Sequence, residues 1–240
     1  MVGQKGEIKS TSSCVVCAAK VATTAEHVPP KSYFEPPYPE NLITVPACGP
    51  CNNGSQKDDD YFLAYLVSRD VVGGTPSLDA VRKRVTRGLH RPKFPGLRNR
   101  LLASAQWTTQ IDPATGRHQL VFVTRAESDR LARTLQKQVR GILYHVTSES
   151  IPKSRFMMIE RVWGMQTRPP KFWEMWTGAA DYALRGTSGV VGDVFKYSVR
   201  QVRRSACAYV VRLEFYGVFP YVALVFHPDF GPPQRVALPF

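Results

Sequence analysis

The stretch "ENLITVPACGPCNNG", residues 40–54, runs from an Asn and a short apolar segment into a C-x-x-C pair, then into two asparagines. A second pair, "CVVC" (Cys14, Cys17), lies upstream, with 30 residues between Cys17 and Cys48. Two residues between the sulfurs let both thiolates of a pair face one ion. Two pairs, Cys14 with Cys17 and Cys48 with Cys51, complete a tetrahedral, closed, structural zinc site. A redox C-x-x-C instead follows a strand and opens the helix of a βαβ unit, and neither pair has that setting. Cys207 has no partner in sequence and reads as a small buried residue. There is no apolar run of transmembrane length and no secretory leader pattern. The expectation is therefore a cytoplasmic protein without a membrane partner, whose reduced thiols are free for metal.

A loop of this length held closed by a metal points to function rather than to a plain linker. It contains "AEHVPP", residues 25–30, and then "KSYFEPPYPEN", so prolines punctuate an ordered, irregular segment. Read singly, each residue has an ordinary explanation. His27 is a polar residue with a partner, Asn41 a turn or helix cap, and Asn52–Asn53–Gly54 a turn. Asp58–Asp60 offers carboxylates for a metal but reads better as the start of a helix, where carboxylates meet free amides.

Read jointly, the order is Glu26-His27, Pro30, Asn41 ahead of "LITV", and Asn52 directly after Cys51. Together with the upstream Cys pair, this resembles the HNH endonuclease family in its zinc-bound form, over residues 12–66. The resemblance implies a zinc-stapled ββα-metal module. In it His27 would be general base and Asn41 would orient the His27 ring. Glu26 and Asn52 would hold one catalytic Mg²⁺ or Mn²⁺. The chemistry agrees. An imidazole titrates near neutrality, and a carboxylate with an amide oxygen is a hard donor pair. Three departures stand out: Glu26 where Asp is commoner, Asn52 in the last motif position, and Ser55 where the family often has Lys. Asn53 remains an alternative to Asn52.

The net charge is +13, with −2 over residues 1–60 and +15 over residues 61–240. Such an excess favours polyanions, nucleic acid first. Val81–Arg100 holds Arg82, Lys83, Arg84, Arg87, Arg91, Lys93, Arg98 and Arg100 and no acid. A helix expected over residues 125–146, opened by a Thr124/Glu127 capping box, places Arg130, Arg133, Lys137 and Arg140 on one stripe. Leu131, Leu135, Val139 and Ile142 lie beside it on an apolar face. "HQLVFVT" and four later aromatic and β-branched runs read as strands.

The expected fold is α+β. Residues 1–73 form the zinc-stapled nuclease module. Residues 77–240 form a basic α+β domain with a mostly antiparallel sheet and a long amphipathic helix. The expected function is metal-dependent hydrolysis of phosphodiester bonds, on DNA ahead of RNA, with a homodimer left open. The alternative is a zinc-stapled nucleic-acid-binding protein whose HNH site is degenerate and inactive.

Overall fold

In the computed structural model, the described residues are 12–69, 74–89, 95–112, 115–124, 126–162, 171–203 and 205–230. Arg91, Lys93 and the start of the expected linker at residues 73–76 lie outside them. Strands β1 (Thr24–Val28) and β2 (Ile43–Ala47) pair antiparallel, with Glu26 opposite Val45 and His27 opposite Thr44. Alternation sends Glu26 and Val28 inward and leaves His27 half-buried on the other face.

Helix α1 (Gly49–Val67) follows β2 directly, with Cys48 at its N-cap and a proline in its first turn. The Cys48 carbonyl accepts from the amides of Cys51 and Asn52, both at 3.0 Å, so the second Cys pair is itself the helix start. This corrects the reading of Asp58–Asp60 as an N-terminus. The acids sit mid-helix, and their partners lie on another element.

Helices α2 (Pro76–Leu89) and α3 (Pro95–Ala103) come next, the second opening on the proline that cannot continue a helix. Strands β3 (Ala105–Ile111) and β4 (His118–Thr124) form an antiparallel hairpin. Helix α4 (Ser128–Thr147) begins later than the capping box requires. Thr124 ends β4, and Glu127 occupies the N-cap without a side-chain cap bond.

The remaining strands are β5 (Met157–Arg161), β6 (Thr187–Val191), β7 (Phe195–Gln201), β8 (Cys207–Phe215) and β9 (Phe219–Phe226). They form one antiparallel sheet in the order β5-β9-β8-β7-β6. Helix α5 (Lys171–Leu184) covers one face, burying Trp176, Ala180 and Ala183 against Val210 and Val222. The other face, with Val211, Leu213, Phe215, Tyr221 and Ala223, packs in one core with Leu135, Val139 and Ile142 of α4 and Phe62, Leu63 and Leu66 of α1. Burial of both faces explains why β8 and β9 read as nearly continuous apolar runs.

The two parts named from sequence thus share one core. The Phe62 ring lies 5.4 Å from Phe215 and 5.8 Å from Tyr221. Burying one such aromatic contributes about 1.5–3 kcal/mol. At the closest approach of α4 to β1, a Cβ on Gly141 would stand 2.5 Å from Val28 Cγ2. Only the missing side chain lets the helix lie so close. Lys137 is one turn before Gly141 and Glu26 two residues before Val28, so the same approach brings Lys137 onto Glu26. Among the described residues no helix is long and apolar enough to cross a membrane.

Candidate functional site

Cys14, Cys17, Cys48 and Cys51 converge, with their sulfurs all within 4.8 Å of one another and Cys17 Sγ 4.0 Å from Cys48 Sγ. Tetrahedral zinc with bonds of about 2.3 Å sets its sulfurs about 3.8 Å apart, so the cluster fits a zinc ion. Burial alone would raise the Cys17 thiol. Hydrogen bonds from the Ala19 and Lys20 backbone outweigh it and bring the thiol down to about 6. Cys207, by contrast, is pushed up by burial and bonds only to backbone carbonyls.

Residues of β1, of the turn at Pro30–Ser32 and of α1 enclose a cleft of about 190 Å³. Glu26, His27, Asn52, Asn53 and Gln56 line it, with Asp59, Asp60 and Lys31. Three of the four residues expected to act together are therefore in one place. The turn after "VPP" delivers Lys31 to the same cleft, with Pro30 capping the short 3₁₀ turn Lys31–Tyr33.

Hydrogen bonding fixes the Asn52 amide. Thr24 Oγ1 gives its proton to the Ala47 carbonyl at 2.9 Å, so towards Asn52 it is an acceptor. Asn52 Nδ2 donates to Thr24 Oγ1 at 3.1 Å and to the Ala25 carbonyl at 3.2 Å. Asn52 Oδ1 is left as the free hard donor. Burial, with Lys31 adding repulsion, lowers His27 below its ordinary value, so the ring is neutral at pH 7.

Asn41 does not orient His27. Its Nδ2 donates to the Val190 carbonyl at 2.7 Å. Asn41 lies beyond the last paired residues, Val28 and Ile43, so it reaches across to β6 instead of back along the hairpin.

The largest difference from expectation concerns the basic stripe of α4. Lys137 and Arg140 are 3% and 4% exposed, and neither is presented to a polyanion. Lys137 Nζ lies 2.9 Å from Glu26 Oε1, 2.5 Å from Asp59 Oδ2 and 2.9 Å from Ser55 Oγ. Arg133 grips Asp58 at 2.7 and 3.3 Å, and Arg130 lies 3.6 Å from the same carboxylate. Arg140 donates to the Lys153 carbonyl at 3.3 Å. Asp58 and Asp59 of α1 are thus the partners of Arg130, Arg133 and Lys137 of α4, across a helix–helix contact that residue spacing alone does not reveal. Lys137 also brings its ammonium to Ser55 Oγ.

On α2, Arg82 pairs with Asp79 and Arg84 with Glu35. Lys83 and Arg87 are exposed and have no carboxylate partner among the described residues.

Asp59 is the cleft residue that the helix-start reading set aside. It is 5% exposed, and burial raises its carboxyl against the pull of Lys137 and Ser55. Glu26 is raised in the same way. The available signal was periodic: Asn52, Gln56 and Asp59 recur at spacings of four and three, one helical face. Comparison with protein-family models, with curated proteins and with solved structures finds no match to this chain.

Proposed function

We propose that the chain is a metal-dependent endonuclease of the HNH type, hydrolysing phosphodiester bonds of DNA. His27 is the general base, and Glu26 and Asn52 hold one divalent cation, Mg²⁺ or Mn²⁺. The observation carrying this reading is the convergence of Glu26, His27 and Asn52 on one cleft, with Asn52 Oδ1 uncommitted. The donor set fits the ion: Glu26 Oε2 is buried without a hydrogen-bond partner among the described residues, and both donors are hard oxygens. When bound, such a cation takes up charge developing on phosphate and leaving oxygen.

The chain's own residues do the rest. Neutral His27 accepts the proton of the attacking water. Lys31, at the mouth of the cleft, meets a phosphate oxygen. Exposed Lys83 and Arg87 extend backbone contacts along α2. Zinc in the four-thiolate cluster pins β2 and the start of α1, and with them Asn52.

The test is nicking of supercoiled plasmid with Mg²⁺ and with Mn²⁺. His27→Ala should slow cleavage on the order of 10²–10⁴-fold while leaving DNA binding intact. Cleavage by the variant at the parent rate overturns the assignment. The binding-only reading has one observation in its favour: the Lys137 ammonium already neutralises part of the Glu26 charge. It predicts a parent protein that binds DNA and never nicks it.

A further inference from the structure

The carboxylates of Glu26 and Asp59 are held in the same unusual way. Each is more than nine-tenths buried, and each gives one oxygen to Lys137 Nζ. The other oxygens, Glu26 Oε2 and Asp59 Oδ1, are buried without a hydrogen-bond partner among the described residues. Both residues line the His27 cleft. An unpartnered buried carboxylate oxygen is costly and calls for an occupant.

Charge says which kind. Glu26, Asp59 and Asp60, set against Lys137 and Lys31, leave the cleft with one net negative charge. Asn52 Oδ1 supplies a neutral hard donor alongside them. Around Glu26 and Asp59 the carboxylates exceed the Lys137 ammonium by one charge and offer only hard oxygen donors, which suits a divalent cation, while Lys31 is left for phosphate.

We propose that Asp59 is a third protein ligand of the divalent cation at Glu26 and Asn52, with Lys137 fixing both carboxylates by their opposite oxygens. This deepens the nuclease reading and rests on its metal, not on its chemistry. Asp59 reaches the cleft because it lies two helical turns after Asn52 on one face of α1. Lys137 Nζ holds Asp59 Oδ2, while Oδ1 is left over. Ser55 Oγ lies beside Oδ2, its one proton shared between this oxygen at 3.2 Å and the Asn52 carbonyl at 3.1 Å. Lys137 is a positioning residue in this arrangement. It touches the ligands by the oxygens that the cation does not use.

The experiment measures Mn²⁺ binding to the zinc-loaded full-length chain, read by loss of the free-ion EPR signal. The parent should bind one Mn²⁺. Asp59→Asn should weaken binding on the order of 10–100-fold, the size expected when the shell around a metal is broken. Asp60→Asn removes the same charge from the same cleft, but at an exposed side chain, and should weaken binding at most about fivefold. Equal effects of the two variants, or parent-like binding by Asp59→Asn, overturn Asp59 as a ligand and leave Glu26 and Asn52 standing. Absence of Mn²⁺ binding by the parent overturns both the ligand and the metal of the nuclease reading. Asp59-dependent binding in a protein that never nicks DNA supports the ligand and removes the nuclease. Zinc content and circular dichroism check folding. If Asp59→Asn does not fold, Asp59→Glu keeps the charge facing Lys137 while displacing the ligand oxygen, and should still bind more weakly than Asp60→Asn.

Discussion

Replacing Lys137 with Met removes the only ammonium facing two buried carboxylates among the described residues. The Lys137, Glu26 and Asp59 side chains are 4%, 5% and 7% exposed, so solvent screens the trio very little. Removing one partner of a buried ion pair costs about 3–5 kcal/mol. The variant can limit that loss by binding a proton. From the ordinary carboxyl values of 4.5 for Glu and 3.8 for Asp, neutrality at pH 7 costs about 3 and 4 kcal/mol respectively. Glu26 is the cheaper site and takes the proton. At pH 5 the same protonation costs under about 1 kcal/mol, so most of the loss disappears there. The sign follows from linkage. A carboxyl raised in the folded variant holds a proton that the unfolded chain releases above about 4.5, so the variant loses stability as pH rises through this window. Urea unfolding at pH 5, 6 and 7, without added divalent cation, should show the deficit relative to the parent growing by about 2–3 kcal/mol from pH 5 to pH 7. A deficit under about 1 kcal/mol at pH 7, or one that does not change with pH, refutes the idea that this ammonium compensates the pair.

Freshly purified protein should contain one zinc per chain, and Cys48→Ser should lose it and unfold the β1–β2–α1 region, as elemental analysis and proteolysis will report. Replacing Lys83 and Arg87 together with Gln should flatten the slope of log DNA affinity against log salt by about two units, because each neutralised phosphate contributes about one. The same exchange at Arg133 should change that slope less, since its guanidinium is bound to Asp58. Gly141→Ala drives a methyl into Val28, and thermal unfolding should show a loss of about 1–3 kcal/mol, partly offset by better helix propensity.

The local pieces were legible because local chemistry determines them. Paired C-x-x-C spacing located the thiolate cluster, and the aromatic and β-branched run in "HQLVFVT" located β4 with its bounds. The apolar face of α4 through Leu135, Val139 and Ile142 was readable from its period. What could not be read was which charged surface meets which. A stripe of cations on a helix looks the same whether it faces solvent, phosphate or a row of aspartates. Asp58 and Asp59 are 75 and 78 residues from their partners on α4. Start signals misled in two places for one reason. Asp58–Asp60 and Thr124/Glu127 have the composition of helix openings, but Pro50 had already opened α1 and β4 still held Thr124. Strand β3 was missed because Trp107 and Ile111 stay exposed, so no buried apolar face marks it, and helix α5 because only Trp176, Ala180 and Ala183 are buried against the sheet.

The link from Lys137 to Glu26 and Asp59 also sets an order of events during synthesis. The four thiolates are complete once Cys51 has left the ribosome, whereas Lys137 is made 78 residues after Asp59. At about 5–20 residues per second, that interval is about 4–16 s. Throughout it the two carboxylates stay hydrated and apart, and Phe62 lacks Phe215 and Tyr221 to pack against. A nascent chain that stops short of residue 137 therefore carries every zinc ligand and every residue lining the cleft, but not the ammonium that joins Glu26 to Asp59.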